Sequence, residues 1–281
     1  MDLAYPKQKF QDWCTQQWVI CGGTKIDPEK FSWLMGPFGN IYGIGEEFIN
    51  QLAQKENLLI EREKKSHGLI PSIKMLNLTE HELSFLSPKV IEFYEHTAQY
   101  HLALSVHWNP FFKFFGILVN NLFSNRINQL NIPTNDGTTS LNNEIITLVD
   151  PASNTVQYTI WLRTSHGQVI YSGLYGTCTL PSGKTCIKAV FPLPQGNATV
   201  IMSPSVGANG EMILDSSGKK IGDAGFYFLL KDSNGNYWTK FVGSFRDRLT
   251  IGTKNEHLFA TQLLTIWNYK AVTFNYNIER I

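Results

Sequence analysis

Val169-Ile170-Tyr171-Ser172-Gly173-Leu174-Tyr175-Gly176-Thr177-Cys178-Thr179-Leu180 runs into Pro181-Ser182-Gly183-Lys184 and out through Thr185-Cys186-Ile187-Lys188-Ala189-Val190-Phe191. Aromatic and β-branched residues fit a pleated, half-buried surface. The Pro-Ser-Gly-Lys group between them supplies a fixed φ and a residue that tolerates positive φ, so the stretch reads as a hairpin. Cys178 and Cys186 then face each other across it.

The same text continues on both sides. Further strand-like runs are Val156–Thr164, Gly225–Lys231, Tyr237–Gly243, His257–Trp267 and Val272–Ile278. Turn signals punctuate them at Asp150-Pro151, His166-Gly167, Gln195-Gly196, Asn209-Gly210, Asn234-Gly235 and Thr253-Lys254-Asn255. Roughly nine or ten strands spaced about 8–14 residues apart predict an antiparallel meander closing as a lipocalin-like β-barrel over 138–281.

Upstream the period changes to that of helices. Residues 7–20 space Phe10, Trp13, Cys14 and Trp18 for one helix face. Asp27-Pro28-Glu29 has the form of a helix start, a third helix spans about Glu46 to Lys65, and Thr79-Glu80-His81-Glu82 fits a capping box. Ser87-Pro88 opens a helix to about Ala98, and Asn109-Pro110 caps an apolar one from Phe111 to about Ile127. Between these two, Tyr100, Leu102, Leu104, Val106 and Trp108 alternate with His101, Ala103, Ser105 and His107, a strand. The expected class is therefore α+β. N-terminal helices with one inserted strand (1–137) precede the barrel part (138–281), the two packed as one unit.

The chain has 281 residues, near-balanced charge (24 Lys+Arg, 23 Asp+Glu), only 17% charged residues and 13% aromatic ones. That composition excludes disorder and disfavours a nucleic-acid partner, whose phosphates call for a basic surface. The N-terminus carries Asp2 and no apolar core segment, so no secretory signal is read and a cytoplasmic location is expected for the four cysteines. From His96 to Asn125 only Lys113 is charged, but three His, four Asn and Pro110 interrupt it. No run of about 18 apolar residues forms, and no transmembrane segment is expected. No CxxC, HExxH, P-loop or GxSxG is present, so neither a metal nor a cofactor is expected.

Three groups of side chains are candidates for chemistry. Tyr94 and His96, followed by His101 and His107, could supply acid–base groups; His101 and His107 share a strand face but stand roughly 20 Å apart. The arginines Arg163, Arg246 and Arg248 could anchor an acidic head group, since a guanidinium inside a barrel is costly unless it meets a carboxylate. The aromatics Trp161, Tyr171 and Trp267 could line a pocket, although strand aromatics ordinarily build core. Between Asp150 and Glu211 only Arg163, Lys184 and Lys188 are charged. Helices covering the outer face there, an apolar cavity inside, or both together would account for it.

Phe93-Tyr94-Glu95-His96-Thr97, Leu122 to Pro133, and Val190-Phe191-Pro192-Leu193-Pro194-Gln195-Gly196-Asn197-Ala198-Thr199-Val200 resemble a family of uncharacterised bacterial proteins of about this length. The resemblance runs over about residues 88–281. It implies a bacterial cytosolic protein and one continuous unit, and carries no function with it.

The functional expectation is a barrel that binds a small apolar or aromatic ligand with a polar or acidic head group, with or without catalysis. Such a barrel needs an internal cavity above about 300 Å³. Two alternatives stand beside it: an enzyme with acid–base residues from the Tyr94–His107 region, and an interaction protein docking through the Phe111–Phe123 helix, for which a homo-oligomer is one expected form.

Overall fold

The computed structural model describes residues 2–6, 8–39, 46–62, 66–113, 137–165 and 167–281. In chain order the N-terminal part gives α1 (Phe10–Gly22), β1 (Thr24–Ile26), α2 (Glu47–Glu56), β2 (Leu59–Glu61), α3 (Glu80–Phe85), α4 (Pro88–Glu95) and β3 (Tyr100–Trp108). Eleven strands follow: β4 (Thr138–Asp150), β5 (Thr155–Ser165), β6 (Gln168–Thr179), β7 (Thr185–Leu193), β8 (Gly196–Val206), β9 (Met212–Asp215), β10 (Gly225–Lys231), β11 (Tyr237–Phe241), β12 (Phe245–Lys254), β13 (His257–Ile266) and β14 (Tyr269–Arg280).

The strands form an antiparallel barrel. β3 through β9 pair each with the next, β12 pairs with β9, β13 with β12, β14 with β13, and β14 returns to β3. Ten strands thus close the ring, where a lipocalin uses eight. The closure depends on β8 changing partner along its length. Gly196 to Ile201 pair with β10, while Ser203 to Val206 pair with β9. β10, β11 and β1 therefore leave the ring as a side sheet, and β2 pairs with the far half of β4.

Period-two alternation decides what lies inside. On β3, Tyr100, Leu102, Leu104 and Val106 are buried while His101 and His107 are exposed. On β14, Val272, Phe274, Tyr276 and Ile278 are buried in the same core. Leu69, Ile70, Phe93 and Tyr94 from the N-terminal part join that core at one end of the barrel. Gly68 allows the close approach: a Cβ there would stand 2.3 Å from the Tyr94 carbonyl oxygen, and the neighbouring Leu69 N–H donates to that oxygen at 2.9 Å.

The charge-poor text of β5 to β8 is explained from outside. Phe48, Ile49, Leu52 and Ala53 of α2 cover Ile146, Ile160, Leu174 and Val190 on the outer barrel face. Trp33 and Leu34 cover Cys178, Cys186 and Ile201 next to it. Cys178 and Cys186 are cross-strand partners and both are free thiols, pushed by burial up to about 11 and about 12.

The Thr79–Glu82 capping box is present, with the Thr79 hydroxyl accepting from the Glu82 N–H and the Glu82 carboxylate accepting from the Thr79 N–H. Thr79→Ala should cost about 1 kcal/mol in urea unfolding, as caps of this kind do; no change would mean that α3 is held by packing alone.

Several local expectations are corrected. α1 buries Asp12, Gln16, Val19 and Ile20, leaving Phe10 and Trp18 exposed. The face is chosen by tertiary contacts: Gln16 Nε2 donates to the Pro194 carbonyl at 2.7 Å and Val19 and Ile20 meet Leu230. Asp27-Pro28-Glu29 opens turns rather than a helix, the Asp27 carboxylate accepting from the Glu29 N–H, because the chain here must lay Trp33 and Leu34 on the barrel. α2 stops at Glu56, where Asn57 turns to φ 55°, and the chain then pairs with β4 instead of remaining helical to Lys65. Two short strands, β1 and β2, accompany β3 in the N-terminal part. Residues 110–113 begin a helix at Asn109, as expected. The rest of the expected Phe111–Ile127 helix lies outside the described residues.

Candidate functional site

β5 carries Trp161 and Arg163 on its inward side, with Arg163 only 6% exposed. Asn143 fixes the Trp161 ring: its side-chain carbonyl accepts from the indole N–H, and its amide donates to the Thr97 and Tyr100 carbonyls. The guanidinium carbon lies 4.1 Å from the Trp161 ring centroid and 4.4 Å from that of Tyr171, the cross-strand neighbour on β6. This aromatic sandwich spreads attraction over both faces of the cation. One Nη donates to the Tyr175 hydroxyl at 3.1 Å; among the described residues Nε has no partner.

Asp247 of β12 points into the same barrel. Its backbone N–H donates to the Ser216 hydroxyl at 2.7 Å, and its Oδ2 accepts from Gln262 Nε2 at 2.6 Å. Its Oδ1 is buried without a partner, as are the hydroxyls of Tyr94 and Tyr276. Arg163, Asp247, Tyr94 and Tyr276 all line one cavity of about 90 Å³. Isolated polar atoms cost free energy when buried dry, so four of them around one space mark it as polar rather than as a packing defect.

Burial sets the protonation states. It pushes the Asp247 carboxyl up to about 7, against the weaker opposing effect of the Gln262 hydrogen bond. It raises Tyr94, Tyr171 and Tyr175 and takes Tyr276 to about 12, so these phenols stay neutral donors. For Arg163 burial works against the charge, but the surrounding hydroxyls of Tyr175, Tyr276 and Tyr171 prevail and its pKa is raised. The cavity therefore offers one permanent cation with an open N–H, neutral hydroxyl donors, and a carboxyl oxygen that accepts or, when protonated, donates.

Of the residues singled out in the sequence, the fold brings together Tyr94, Trp161, Arg163 and Tyr171. The others stand apart. His96 is half-buried with Nδ1 3.2 Å from the Ser66 carbonyl; His101 is exposed with Nε2 2.9 Å from the Ser140 hydroxyl; His107 is exposed. The acid–base cluster expected from Tyr94, His96, His101 and His107 is thus not assembled, because odd positions of β3 face outward. Arg246 and Arg248 do share a face, but it is the outer one, with Arg248 3.9 Å from Asp215. Trp267 is 67% exposed on the β13–β14 turn.

Sequence reasoning missed Asp247, Gln262 and Tyr276. The signal for Asp247 was present: between two arginines on a strand, it alone takes the opposite face. Tyr276 sits in the alternation Val272, Phe274, Tyr276, Ile278. The barrel cavity is also much smaller than the expected 300 Å³, because the rings of Trp161, Tyr171, Tyr175 and Phe191 fill the interior. A larger cleft, of about 480 Å³, lies outside the barrel between Met35–Phe38 and the outer face of β5–β7. Its Lys188 amine is already held by the Trp33 and Met35 carbonyls. Among the described residues no cluster of three His, Cys, Asp or Glu side chains could hold a metal, and no helix is long and apolar enough to cross a membrane.

No protein-family model matches the chain, and no solved structure matches it significantly. It is 25% identical over 252 residues to a Bacillus subtilis (strain 168) protein described as "Uncharacterized membrane protein YndJ". The match covers 86% of this chain but 44% of that protein, so the chain spans less than half the length of the curated relative. The similarity is thus to an uncharacterised bacterial protein, the kind of family that the sequence resembles.

Proposed function

We propose that the barrel is a binding module for a small acid, an anion of a few non-hydrogen atoms seated against Arg163. The observation that carries this reading is the Nε of a fully buried guanidinium, without a partner among the described residues, on a cavity that the hydroxyls of Tyr94 and Tyr276 also line. At about 30 Å³ per water, the volume suits about three waters or one short carboxylate. The apolar or aromatic ligand body expected from composition does not fit it; the acidic head group does. The aromatic residues serve as walls that keep the guanidinium charged and oriented. Binding is the activity proposed, since the imidazoles offered for acid–base work stand outside the barrel.

Isothermal titration with formate, acetate, pyruvate and phosphate tests the reading. Arg163→Met keeps the volume of the stem and removes the charge. It is expected to weaken the best of these anions by about 10–100-fold, the worth of hydrogen bonds to a charged group, while leaving the thermal midpoint near or above that of the wild type. Equal affinity in the variant, or no heat with any anion together with a bare native mass for freshly purified protein, would sink the proposal.

A further inference from the structure

Ile266 and Tyr269 close the β13–β14 hairpin as a pair, leaving Trp267 and Asn268 as its two-residue turn at φ 51° and 66°. Such turns are ordinarily built from Asn and Gly, because both central residues must adopt positive φ. Two other two-residue turns of this chain also depart from that preference, with Gln195 at φ 57° and Glu256 at φ 68°. A bulky aromatic in the left-handed region is strained, and this one gains no compensating burial: Trp267 is 67% exposed and Tyr269 is 69% exposed. Positive φ alone does not set this turn apart, but two large exposed aromatic rings at one tip do, and they point to a use outside the fold.

The neighbourhood is consistent with one use. The Asn109 N–H donates to the Ala271 carbonyl at 2.9 Å, which brings the start of the next segment to the same barrel end, and Phe111 there is 67% exposed. Trp267 N–H donates to the Ser244 carbonyl, so the 242–246 turn is beside the tip as well. The three segments 105–113, 242–246 and 265–272 contain Lys113, Arg246 and Lys270 and not one Asp or Glu. Exposed Trp and Tyr rings framed by Lys and Arg are what a membrane–water interface selects: amphipathic rings sit at headgroup level and the cations meet anionic lipid. The barrel end closed by Leu69, Ile70 and α4 is the opposite one.

We propose that this end of the barrel docks on the surface of an anionic lipid bilayer, with Trp267 and Tyr269 entering the interface and Arg246 and Lys270 facing the headgroups. The inference is independent of the acid-binding reading and stands if that reading fails.

Co-sedimentation with vesicles tests it, using phosphatidylcholine with and without phosphatidylglycerol. The 281-residue chain is expected to pellet with the phosphatidylglycerol vesicles, and added salt should release it. The double variant Trp267→Asn, Tyr269→Thr replaces strained or exposed rings by residues suited to the turn and the strand. It should partition about tenfold more weakly or worse, with a thermal midpoint equal to or above wild type. Lys270→Glu, a change at an exposed strand end, should weaken binding to phosphatidylglycerol vesicles and give a second readout should the double variant fail to fold. Wild-type protein that stays in the supernatant with both vesicle types overturns the proposal. So does wild-type-like pelleting of a folded double variant, or of Lys270→Glu where the double variant does not fold. A dimer abolished by the double variant in light scattering, without vesicle binding, would assign the tip to a second copy of the chain and overturn it too.

Discussion

Phe274→Ala is expected to destabilise the protein by about 3–5 kcal/mol, the range measured for truncating a fully buried phenylalanine. Phe274 is 0% exposed, at the middle of β14, with Val106 of β3 on one side and Gln262 of β13 on the other. Its ring meets that of Tyr171 edge-on at 6.5 Å, across the barrel interior. A closed barrel limits how far its wall can move inward, so the vacated volume stays largely open and the cavity term adds to the lost transfer free energy. At about 2–4 °C per kcal/mol for a chain of this size class, the thermal midpoint should fall by about 6–20 °C. Urea unfolding with an unchanged m-value would establish that the loss is one of stability. A cost below about 1 kcal/mol would mean that the interior collapses around the gap, and the rigid-wall argument would be wrong.

The second large effect is on pH dependence. The folded state holds the Asp247 carboxyl at about 7, whereas an exposed aspartate titrates at 3.8. Below the lower value both states carry the proton, and above the higher value neither does. Between them the native state keeps a proton that the unfolded chain has released, so stability falls as pH rises through this window. From pH 5 to pH 8 the loss is on the order of 3 kcal/mol, at 1.36 kcal/mol per unit over the part of the window covered. Asp247→Asn retains an acceptor for Gln262 and cannot ionise. Its stability, followed by urea unfolding at intervals across that range, should lose this slope and exceed that of the wild type at pH 8. Parallel curves for variant and wild type would show that Asp247 is ionised in the fold at neutral pH, contrary to its burial.

The same residue illustrates what was and was not legible. Arg246-Asp247-Arg248 reads as a strand with arginines on one face, and the arginines do share a face. Which face turns inward is not a property of those three residues. It follows from the pairing of β12 with β9 on one side and β13 on the other, which rolls Asp247 toward Arg163 and the arginines toward water. Trp267 gives the converse case. Its aromatic character read as pocket or core, and only the backbone reveals that it occupies a turn where the side chain is thrust outward.

Local features were readable because they depend on neighbours in sequence. The strand Tyr100–Trp108, the hairpin at Pro181–Lys184 with Cys178 opposite Cys186, the capping box at Thr79 and the meander itself all rest on backbone propensity and on periods of two or about 3.6 residues. The tertiary structure alone decided the rest. It chose the buried face of α1, ended α2 at Asn57, closed ten strands through Ser203 and Asp215, and gathered Tyr94, Arg163, Asp247 and Tyr276 around one small cavity. The physical reason is that alternation divides a strand into two faces without labelling either as inside. That label is set by ring closure, which joins residues far apart in the chain, and by the rings that must then share a fixed internal volume.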